Sequence, residues 1–449
     1  MKIRRSVLLL LFITSISVAA CSPGHLGTNV IAFIRNGTIW TMDPDGANAE
    51  AIVKQRTPVV GYAWSPNHEM LTFRTLDATP ATQQLPTTTT AQIISDAPGS
   101  LNTVGVDGGT PITIAATQSD LRYDNPVWNT NGSRLLYRET FPGAIGNPLN
   151  VNWWVSQNDQ PDGIALKGLP ASYSIPSLSY TTSHYQTIEN SNQGVFTTSI
   201  AGTDLHYITT QPLAGHPLSA SMERLLWQPT NATTPAQTFL YAEPIAPSQN
   251  NTQAIAGAAP ISYQLRLATT HNTSTPLLTC QCNQFAWAPD GTHILYQEGS
   301  RYTIFNIQNH TSFFVTAKSN SVPYWSPDSH FLLLDGPTSL ILVNVQTQQQ
   351  QVLLHATQST AQPNPTLPST STLLQPVPNN IWAANSRQFL FLTQDRLNWQ
   401  NQSSPLQQGL YTVTIDANGH IQNSPLRIDT GNDTQAGWTY EDPNTSFLY

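Results

Sequence analysis

The sequence predicts an all-β protein built from repeated four-stranded antiparallel units. Eight times along the 449 residues, an aromatic or apolar residue precedes a short polar stretch, and an apolar triplet ends about nine positions later. The leading residues are Trp64, Trp128, Leu178, Leu218, Trp287, Trp325, Trp382 and Trp438. The two shortest intervals between copies are 40 and 38 residues. This period is typical of a blade of a β-propeller.

The chemistry of the phrase predicts a hairpin. In Trp287-Ala-Pro-Asp-Gly291, a strand ends at the tryptophan, proline fixes φ, and Asp-Gly accepts the dihedral angles of a tight turn. The triplet Ile294–Tyr296 then begins the next strand. A second hairpin follows, with strands at 302–307 and 312–316. Each unit therefore has four strands, which we name A to D.

The two termini are predicted to share one blade. Trp438 begins an eighth phrase, but the chain ends at Tyr449 after its second strand. Residues 30–53 supply a third strand at 39–42 and a fourth at 50–53, so they complete the last blade with 434–449. Closing the ring in this way removes free sheet edges.

The sequence leaves two features of this ring undecided. Residues 30–34 and 447–449 are both compatible with the second strand of the shared blade. The ring has eight blades if the Leu178 phrase is a blade of its own, and seven if that phrase belongs elsewhere.

The pattern W-S-P-D-G-x-x-[IL]-x-[FY] resembles the WD40-like repeats of bacterial TolB-type β-propellers. Residues 39–46, Ile-Trp-Thr-Met-Asp-Pro-Asp-Gly, resemble their third strand and the following turn. The resemblance covers nearly all of the chain after its first residues and implies the propeller fold. TolB itself carries an additional N-terminal α/β domain, for which this chain has no room before its first strands. Its role with the Tol–Pal system is therefore not transferred.

The N-terminus is typical of a bacterial lipoprotein. Residues 1–20 combine basic residues with an apolar run from Val7 to Val18, and two alanines precede Cys21. Val18-Ala-Ala-Cys21 resembles a lipobox, in which the cysteine is acylated. The alternative is a single transmembrane anchor, for which the run is short. We therefore expect a signal peptide at 1–20, a tether at 21–29, a propeller at 30–449, and an exported, extracytoplasmic protein held to a bacterial membrane by lipid.

Composition and motifs argue against several other functions. Only 10% of residues are charged and the net charge is −8, which disfavours nucleic acid as a partner. No G-x-S-x-G, H-E-x-x-H or H-x-H pattern is present, so neither a catalytic constellation, a metal site nor a cofactor is predicted. His68, His293 and His330, and the segments Asp43–Gly46 and Asp416–Gly419, are interpreted as turn residues.

Cys280 and Cys282 are separated by one residue between two predicted blades. An exported location permits a disulfide, but a bridge requires a bend between the two residues. Two buried free thiols and a metal site are the alternatives.

Five long polar segments indicate where a ligand binds: 76–99, 140–150, 229–261, 355–376 and 394–407. Four are assigned to connections between strands B and C, and 355–376 to a connection between D and the next A. These connections share one face of the predicted disc, and loops on rigid scaffolds commonly carry binding sites. Simple tolerance of insertions is the alternative explanation.

The sequence therefore predicts a non-enzymatic surface propeller that binds a protein, a peptide or a glycan through its loop-rich face. The alternative is a propeller enzyme acting on glycans or peptides through carboxylates or histidines that line the channel. The repeated tryptophans are predicted to pack between blades, and sugar stacking is their alternative role.

Overall fold

The computed structural model describes residues 30–438 except for a set of gaps. The gaps are 54–56, 66–68, 77–98, 118–121, 129–133, 141–150, 158–160, 162, 166–176, 181–184, 192–193, 200–205, 208–225, 230–236, 246–261, 270–272, 319, 357–373, 376–380, 394–396, 401–403 and 431–433. The elements of the described part are β-strands. In that part, no helix is long and apolar enough to cross a membrane.

The described strands, numbered in chain order, form eight antiparallel sheets. Sheet 1 contains β4 (Val59–Trp64), β5 (Met70–Thr75), β6 (Leu101–Gly105) and β7 (Gly108–Ala115). Sheet 2 contains β8 (Arg122–Trp128), β9 (Arg134–Thr140), β10 (Val151–Gln157) and β11 (Ile164–Ala165). Sheet 3 contains β12 (Ser177–Tyr180), β13 (Tyr185–Ser191), β14 (Gly194–Ser199) and β15 (His206–Tyr207). Sheet 4 contains β16 (Leu226–Trp227), β17 (Thr238–Pro244), β18 (Tyr263–Thr269) and β19 (Ser274–Cys280).

The other four sheets follow the same plan. Sheet 5 contains β20 (Gln284–Trp287), β21 (His293–Glu298), β22 (Arg301–Asn306) and β23 (Ser312–Thr316). Sheet 6 contains β24 (Val322–Trp325), β25 (Phe331–Asp335), β26 (Ser339–Asn344), β27 (Gln349–Ala356) and β30 (Leu397–Trp399). Sheet 7 contains β28 (Leu374–Gln375), β29 (Gln388–Thr393), β31 (Gly409–Thr414) and β32 (Leu426–Asp429). Sheet 8 contains β33 (Thr434–Trp438), β1 (Ile31–Arg35), β2 (Thr38–Met42) and β3 (Glu50–Ala51).

The all-β, four-stranded prediction is confirmed. Within each sheet, strands A to D are hydrogen-bonded to their neighbours in that order, and every pairing is antiparallel. Successive four-stranded antiparallel sheets of this kind are the building plan of a β-propeller.

Sheet 8 joins the two ends of the described chain. Strand β1 pairs with β33, with Ile31 opposite Trp438 and Ala32 opposite Gly437. Residues 31–35 are thus the second strand of this sheet, which decides between the two segments that the sequence left open. Residues 447–449 lie outside the described residues.

The strand assignment that the sequence predicts for sheet 4 is wrong. Leu225–Trp227 was expected to be strand B of a phrase led by Leu218, yet Leu226–Trp227 is strand A and pairs with β17. Strand B therefore lies inside 229–261, which was predicted to be an insertion. The reason is that residues 228–237 separate A from B, so the triplet Phe239–Tyr241 comes later than the repeat predicts.

The predicted loop at 394–407 also contains a strand. Residues Leu397–Trp399 form β30, which pairs antiparallel with β27 on the outer side of sheet 6. Leu397 and Trp399 are buried in the core. A segment that leaves sheet 7 thus returns to cover the outermost strand of the preceding sheet.

The core lies between adjacent sheets. One apolar cluster joins sheets 6, 7 and 8, and others join sheet 8 to sheet 1, sheet 1 to sheet 2, sheet 4 to sheet 5, and sheet 5 to sheet 6. Five of the six predicted core tryptophans are buried, and the sixth, Trp325, is half-buried.

Candidate binding side of the sheets

The connections of each sheet divide between two sides. In an antiparallel meander, the A–B and C–D connections lie at one end of the strands, and the B–C and D–A connections lie at the other. We call these the turn side and the loop side. The loop side carries the long connections 76–100, 141–150, 166–176, 208–225, 245–262, 357–373 and 394–408. The longest on the turn side are 228–237, 376–387 and 415–425, with ten to twelve residues each.

Side-chain oxygens at the start of several described turns fix the geometry of the turn side. The Oδ1 of Asp290 accepts hydrogen bonds from the backbone N–H groups of Thr292 (2.8 Å) and His293 (3.1 Å). Asp416 and Asn306 act in the same way in C–D turns. These bonds replace water on the turn backbone, which explains the Asp and Asn residues of the repeated phrase.

Hydrogen bonds also join the turns of neighbouring sheets. The backbone N–H of Asp290 in sheet 5 donates to the Oγ of Ser329 in sheet 6, at 2.8 Å. The N–H of Asp328 in sheet 6 donates to the Oγ of Ser386 in sheet 7, at 3.0 Å. Both serines stand four residues after the repeated tryptophan and have positive φ values of 59° and 56°. The turn side is therefore a bonded rim between sheets 5, 6 and 7.

Two of the predicted turn histidines have specific partners. His293 lies 2.7 Å from a carboxylate oxygen of Asp290, and its other ring nitrogen lies 3.1 Å from the amide of Asn306. Burial alone would raise the pKa of Asp290, but hydrogen bonds from His293 and Thr292 lower it to about 2. His330 contacts Asp328 at 3.3 Å. These histidines support the turns, and His68 lies outside the described residues.

The two ends of the first long connection on the loop side are joined by a backbone hydrogen bond. The N–H of Thr75 donates to the carbonyl of Ser100 at 3.0 Å, so both ends of the segment 77–98 lie at the end of strand β5. The carbonyl of Gly99 accepts from the N–H of Tyr123 in sheet 2 at 3.3 Å. A Cβ on Gly99 would collide with the carbonyl oxygen of Thr75, so the close approach requires glycine.

A buried glutamate stands where the second long connection begins. Glu139 precedes residues 141–150 and accepts three hydrogen bonds: from Tyr123 Oη (3.0 Å), Asn152 Nδ2 (2.9 Å) and Trp154 Nε1 (3.2 Å). Burial, together with the carboxylate of Glu139, raises the pKa of Tyr123 to about 12. The three donors compensate for the burial of the carboxylate and fix its position.

A second buried carboxylate lies at the same end of sheet 6, without such donors. Asp335 ends strand β25, and neither of its carboxylate oxygens has a hydrogen-bond partner. It alternates with Phe331 and Leu333, and Phe331 stacks on Trp382 of sheet 7, so Asp335 faces the interface between sheets 6 and 7. Burial raises its pKa to about 8. Burial next to Asp335 also raises the pKa of Tyr324.

Cys280 and Cys282 form a disulfide on the loop side. Strand β19 ends at Cys280, and the connection to β20 bends so that the two Cα atoms are 5.2 Å apart. The backbone N–H of Gln281 donates to a carboxylate oxygen of Glu298 at 2.8 Å, which holds this bend against the end of β21.

The predicted site residues therefore fall into separate places. The tryptophans lie between sheets, the two cysteines pair, and Cys21 lies outside the described residues. Among the described residues, no group of three His, Cys, Asp or Glu side chains could hold a metal ion. Glu139 and Asp335 were not predicted. Asp335 had a signal, because a single carboxylate follows four apolar strand residues, Phe331 to Leu334.

No protein-family model matches the chain. No curated protein matches it either. Solved structures similar to it include TolB from Acinetobacter baumannii, with 12% identity, 64% of each chain covered and a TM-score of 0.33. They also include oligogalacturonate lyase from Vibrio parahaemolyticus, with 8% identity, 69% of this chain and 88% of that chain covered, and a TM-score of 0.44. A third is dihydro-heme d1 dehydrogenase NirN, with 11% identity, 93% and 76% covered, and a TM-score of 0.48.

The fold class itself rests on the strand pairing of this chain. Its sheets repeat the A-to-D meander at each Trp-led phrase, and the repeated tryptophans pack between sheets. At the level of fold, the chain is therefore a β-propeller protein.

Proposed function

We propose that the chain is a non-enzymatic propeller of eight blades that binds a protein, a peptide or a glycan through its loop side. The observation that carries this proposal is the unequal distribution of connections. The turn side is fixed by Asx turns and by hydrogen bonds between sheets, such as the one from the backbone N–H of Asp328 to the Oγ of Ser386. The long connections leave from the opposite end of the strands, where a rigid scaffold can present them to a ligand.

The packing of sheet 8 supports a closed ring. The hydroxyl of Tyr62 in sheet 1 donates to the carbonyl of Ala32 in sheet 8 at 2.8 Å. On the other face of sheet 8, Arg35 forms an ion pair with Asp429 of sheet 7 at 2.7 Å. A sheet packed between the first and the seventh in this way is what closure through both termini requires.

The anchor and the location are part of the same proposal. Residues 1–20 direct export, Cys21 is acylated, and the protein is held on the outer side of a bacterial membrane. Two acyl chains give stable anchoring, whereas one does not. Cys21→Ser should leave the precursor unprocessed by the lipoprotein pathway. Acylation and membrane retention of that variant at the wild-type level would refute the anchor.

The buried carboxylates favour binding over the enzyme alternative. Glu139 belongs to sheet 2 and is occupied by three donors, whereas Asp335 belongs to sheet 6. One carboxylate is held by donors of its own sheet and the other faces the interface between sheets 6 and 7, so the two are not arranged as an acid and base pair acting on one substrate.

The test replaces loops while keeping the sheets. The segment 77–98 would be replaced by the Asn-Gly turn that already joins β1 and β2, where Asn36 and Gly37 have φ values of 51° and 71°. A second variant shortens 357–373, and Gln346→Arg on the exposed turn side serves as the control. The full-length lipoprotein would be cross-linked in intact cell envelopes and tested on a glycan array.

We expect each loop replacement to remove a cross-linked partner or a bound glycan, with unchanged thermal stability, and the control to bind as wild type. Full binding by both loop variants would overturn the proposal, as would turnover of a bound glycan or peptide.

A further inference from the structure

The outer strands of the sheets differ in how their free edges are protected. An unpaired edge strand can bind another chain, and proteins block such edges with proline, short length, charge or a covering segment. Pro111 lies in β7, Pro276 lies in β19, and β30 covers β27. The outer strands β3, β11 and β15 have two residues each. Strand β32 has four residues and carries Arg427 and Asp429.

Strand β23 has none of these protections in the described structure. Its five residues, Ser-Phe-Phe-Val-Thr, include neither proline nor a charge, and it pairs only with β22. Phe314 at its centre is 56% exposed, more than any other large apolar side chain described. Its neighbour Val315 is buried against sheet 6, so one face of the strand is fixed and the other is open.

The hydrogen-bond pattern shows which backbone groups are free to pair. The N–H of Ala317 donates to the carbonyl of Ser300, and the N–H of Asn306 donates to the carbonyl of Thr311. Backbone groups alternate in an antiparallel pair, so residues 313 and 315 bond inward to β22. The N–H and C=O groups of residues 312, 314 and 316 therefore point outward, away from the sheet.

The charges beside this edge define the chemistry of an occupant. The guanidinium of Arg301 lies 4.2 Å from the ring centre of Phe314, and Lys318 is exposed just after the strand. No described carboxylate lies within ion-pair distance of either cation. Glu298 lies directly opposite Arg301 in the β21–β22 hairpin, and its carboxylate accepts a hydrogen bond from the backbone N–H of Gln281. In a chain of net charge −8, this is a cationic edge that favours carboxylates.

The adjacent sheet gives an internal example of a strand added to an outer edge. On the adjacent sheet, β30 lies antiparallel to the outer strand, with Leu397 and Trp399 buried on either side of Asn398. An added strand gains affinity from main-chain hydrogen bonds and specificity from alternate side chains.

We propose that the outer edge of β23 binds an extended strand of a partner protein, with an apolar side chain beside Phe314 and carboxylates facing Arg301 and Lys318. This site lies on the circumference of the fold and does not depend on ligand binding by the loop side.

The test uses an octapeptide, Glu-Glu-Val-Thr-Val-Thr-Val-Thr, labelled with fluorescein at its C-terminus and titrated with the protein in an anisotropy assay; in an antiparallel pairing its two glutamates lie beside the end of β23 that carries Arg301 and Lys318. Phe314→Pro removes an outward N–H and leaves the inward bonds of the ladder intact, since proline is tolerated at such edge positions. Thr316→Pro makes the same change at a second outward position, and Ile112→Thr is the control on an edge already blocked by Pro111. Melting curves verify that each variant folds.

We expect saturable binding by wild type and by Ile112→Thr, and at least tenfold weaker binding by both proline variants. Arg301→Glu should weaken binding of this peptide and strengthen binding of a version that begins with two lysines. Equal binding by wild type and the proline variants would overturn the proposal. So would an absence of binding, or wild-type self-association that Phe314→Pro abolishes, because a second copy would then be the occupant.

Discussion

The indole N–H of Trp382 in sheet 7 donates a hydrogen bond to the backbone carbonyl of Tyr324 in sheet 6, over 3.0 Å. The same relationship joins Trp287 in sheet 5 to the carbonyl of Leu226 in sheet 4, also over 3.0 Å. In both cases, the accepting residue directly precedes the tryptophan that leads its own sheet. The repeated tryptophan thus fills the space between two sheets and also satisfies a carbonyl on the innermost strand of the preceding sheet.

This relationship predicts a graded loss of stability at position 382. Trp382→Ala should lower the free energy of unfolding by about 3–5 kcal/mol, because a large buried side chain leaves a cavity. Trp382→Phe should cost about 1–3 kcal/mol, since the carbonyl of Tyr324 loses its donor. Trp325→Phe is the matched control, because the Nε1 of Trp325 has no hydrogen-bond partner. Urea unfolding measures all three, and an equal loss for both phenylalanine variants would contradict the role of the bond.

The repeat predicted most sheets because tryptophan, turn and triplet are local in sequence. Sheet 4 was misassigned because residues 228–237 lengthen one connection, so the fixed interval selected Leu218 in place of Trp227. Strand β30 was missed for another reason. Leu397-Asn-Trp399 is a strand only because it pairs with β27, about forty residues earlier, and no local pattern encodes that pairing.

The candidate binding side was only partly predictable for the same reason. The lengths of the connections can be read from the sequence, whereas the three donors around Glu139 come from two strands, β8 and β10, on either side of its own β9. The apolar surroundings of Asp335 likewise depend on the packing of sheet 7 against sheet 6.

Asp335 predicts an unusual dependence of stability on pH. Its pKa is raised from the ordinary 3.8 to about 8 by burial, so the folded protein holds this proton more tightly than the unfolded chain. Stability from this group is therefore complete below about pH 4 and falls as pH rises towards 8, by up to about 1.4 kcal/mol per unit.

Asp335→Leu should remove this slope and stabilise the protein at pH 8. Leucine fits the position, because Leu392 stands ten residues after Trp382 as Asp335 stands ten after Trp325. Urea unfolding between pH 5 and 8 measures the effect. Asp416→Asn is the control. Hydrogen bonds from the backbone and ring of His420 lower the pKa of the Asp416 carboxyl, so removing this carboxyl should change the stability at acid pH and leave the slope between pH 5 and 8 unchanged. A slope that persists in Asp335→Leu would show that another group causes it.

The disulfide between Cys280 and Cys282 should contribute little stability for its class. The bridge closes a loop of only three residues, for which the loss of unfolded-chain entropy is worth roughly 1.5–2 kcal/mol. A reducing agent should therefore lower the melting temperature slightly without unfolding the protein. The double variant Cys280→Ala/Cys282→Ala should melt like the reduced wild type and no longer respond to reductant. Complete unfolding on reduction would mean that the bridge holds more than its own connection.

The final prediction concerns Trp438, which is fully buried and lies opposite Ile31 in sheet 8. Trp438→Ala should lower the free energy of unfolding by about 3–5 kcal/mol, and deletion of 437–449 should lower the melting temperature at least as much. Leu426→Ser, at a half-exposed position on the outer strand β32, is the control and should melt like wild type.

Ring closure also predicts which strands are destabilised by Trp438→Ala. Sheet 8 packs on sheet 1 through Tyr62 and on sheet 7 through Asp429. In a closed ring, Trp438→Ala weakens both neighbours of sheet 8, and unfolding remains a single transition. Hydrogen exchange should then lose protection in β4 of sheet 1 and in β29 of sheet 7 together. Loss confined to β29 would mean that β33 does not hold β1, so that the ring is open within sheet 8 and Trp438 stabilises sheet 7 alone.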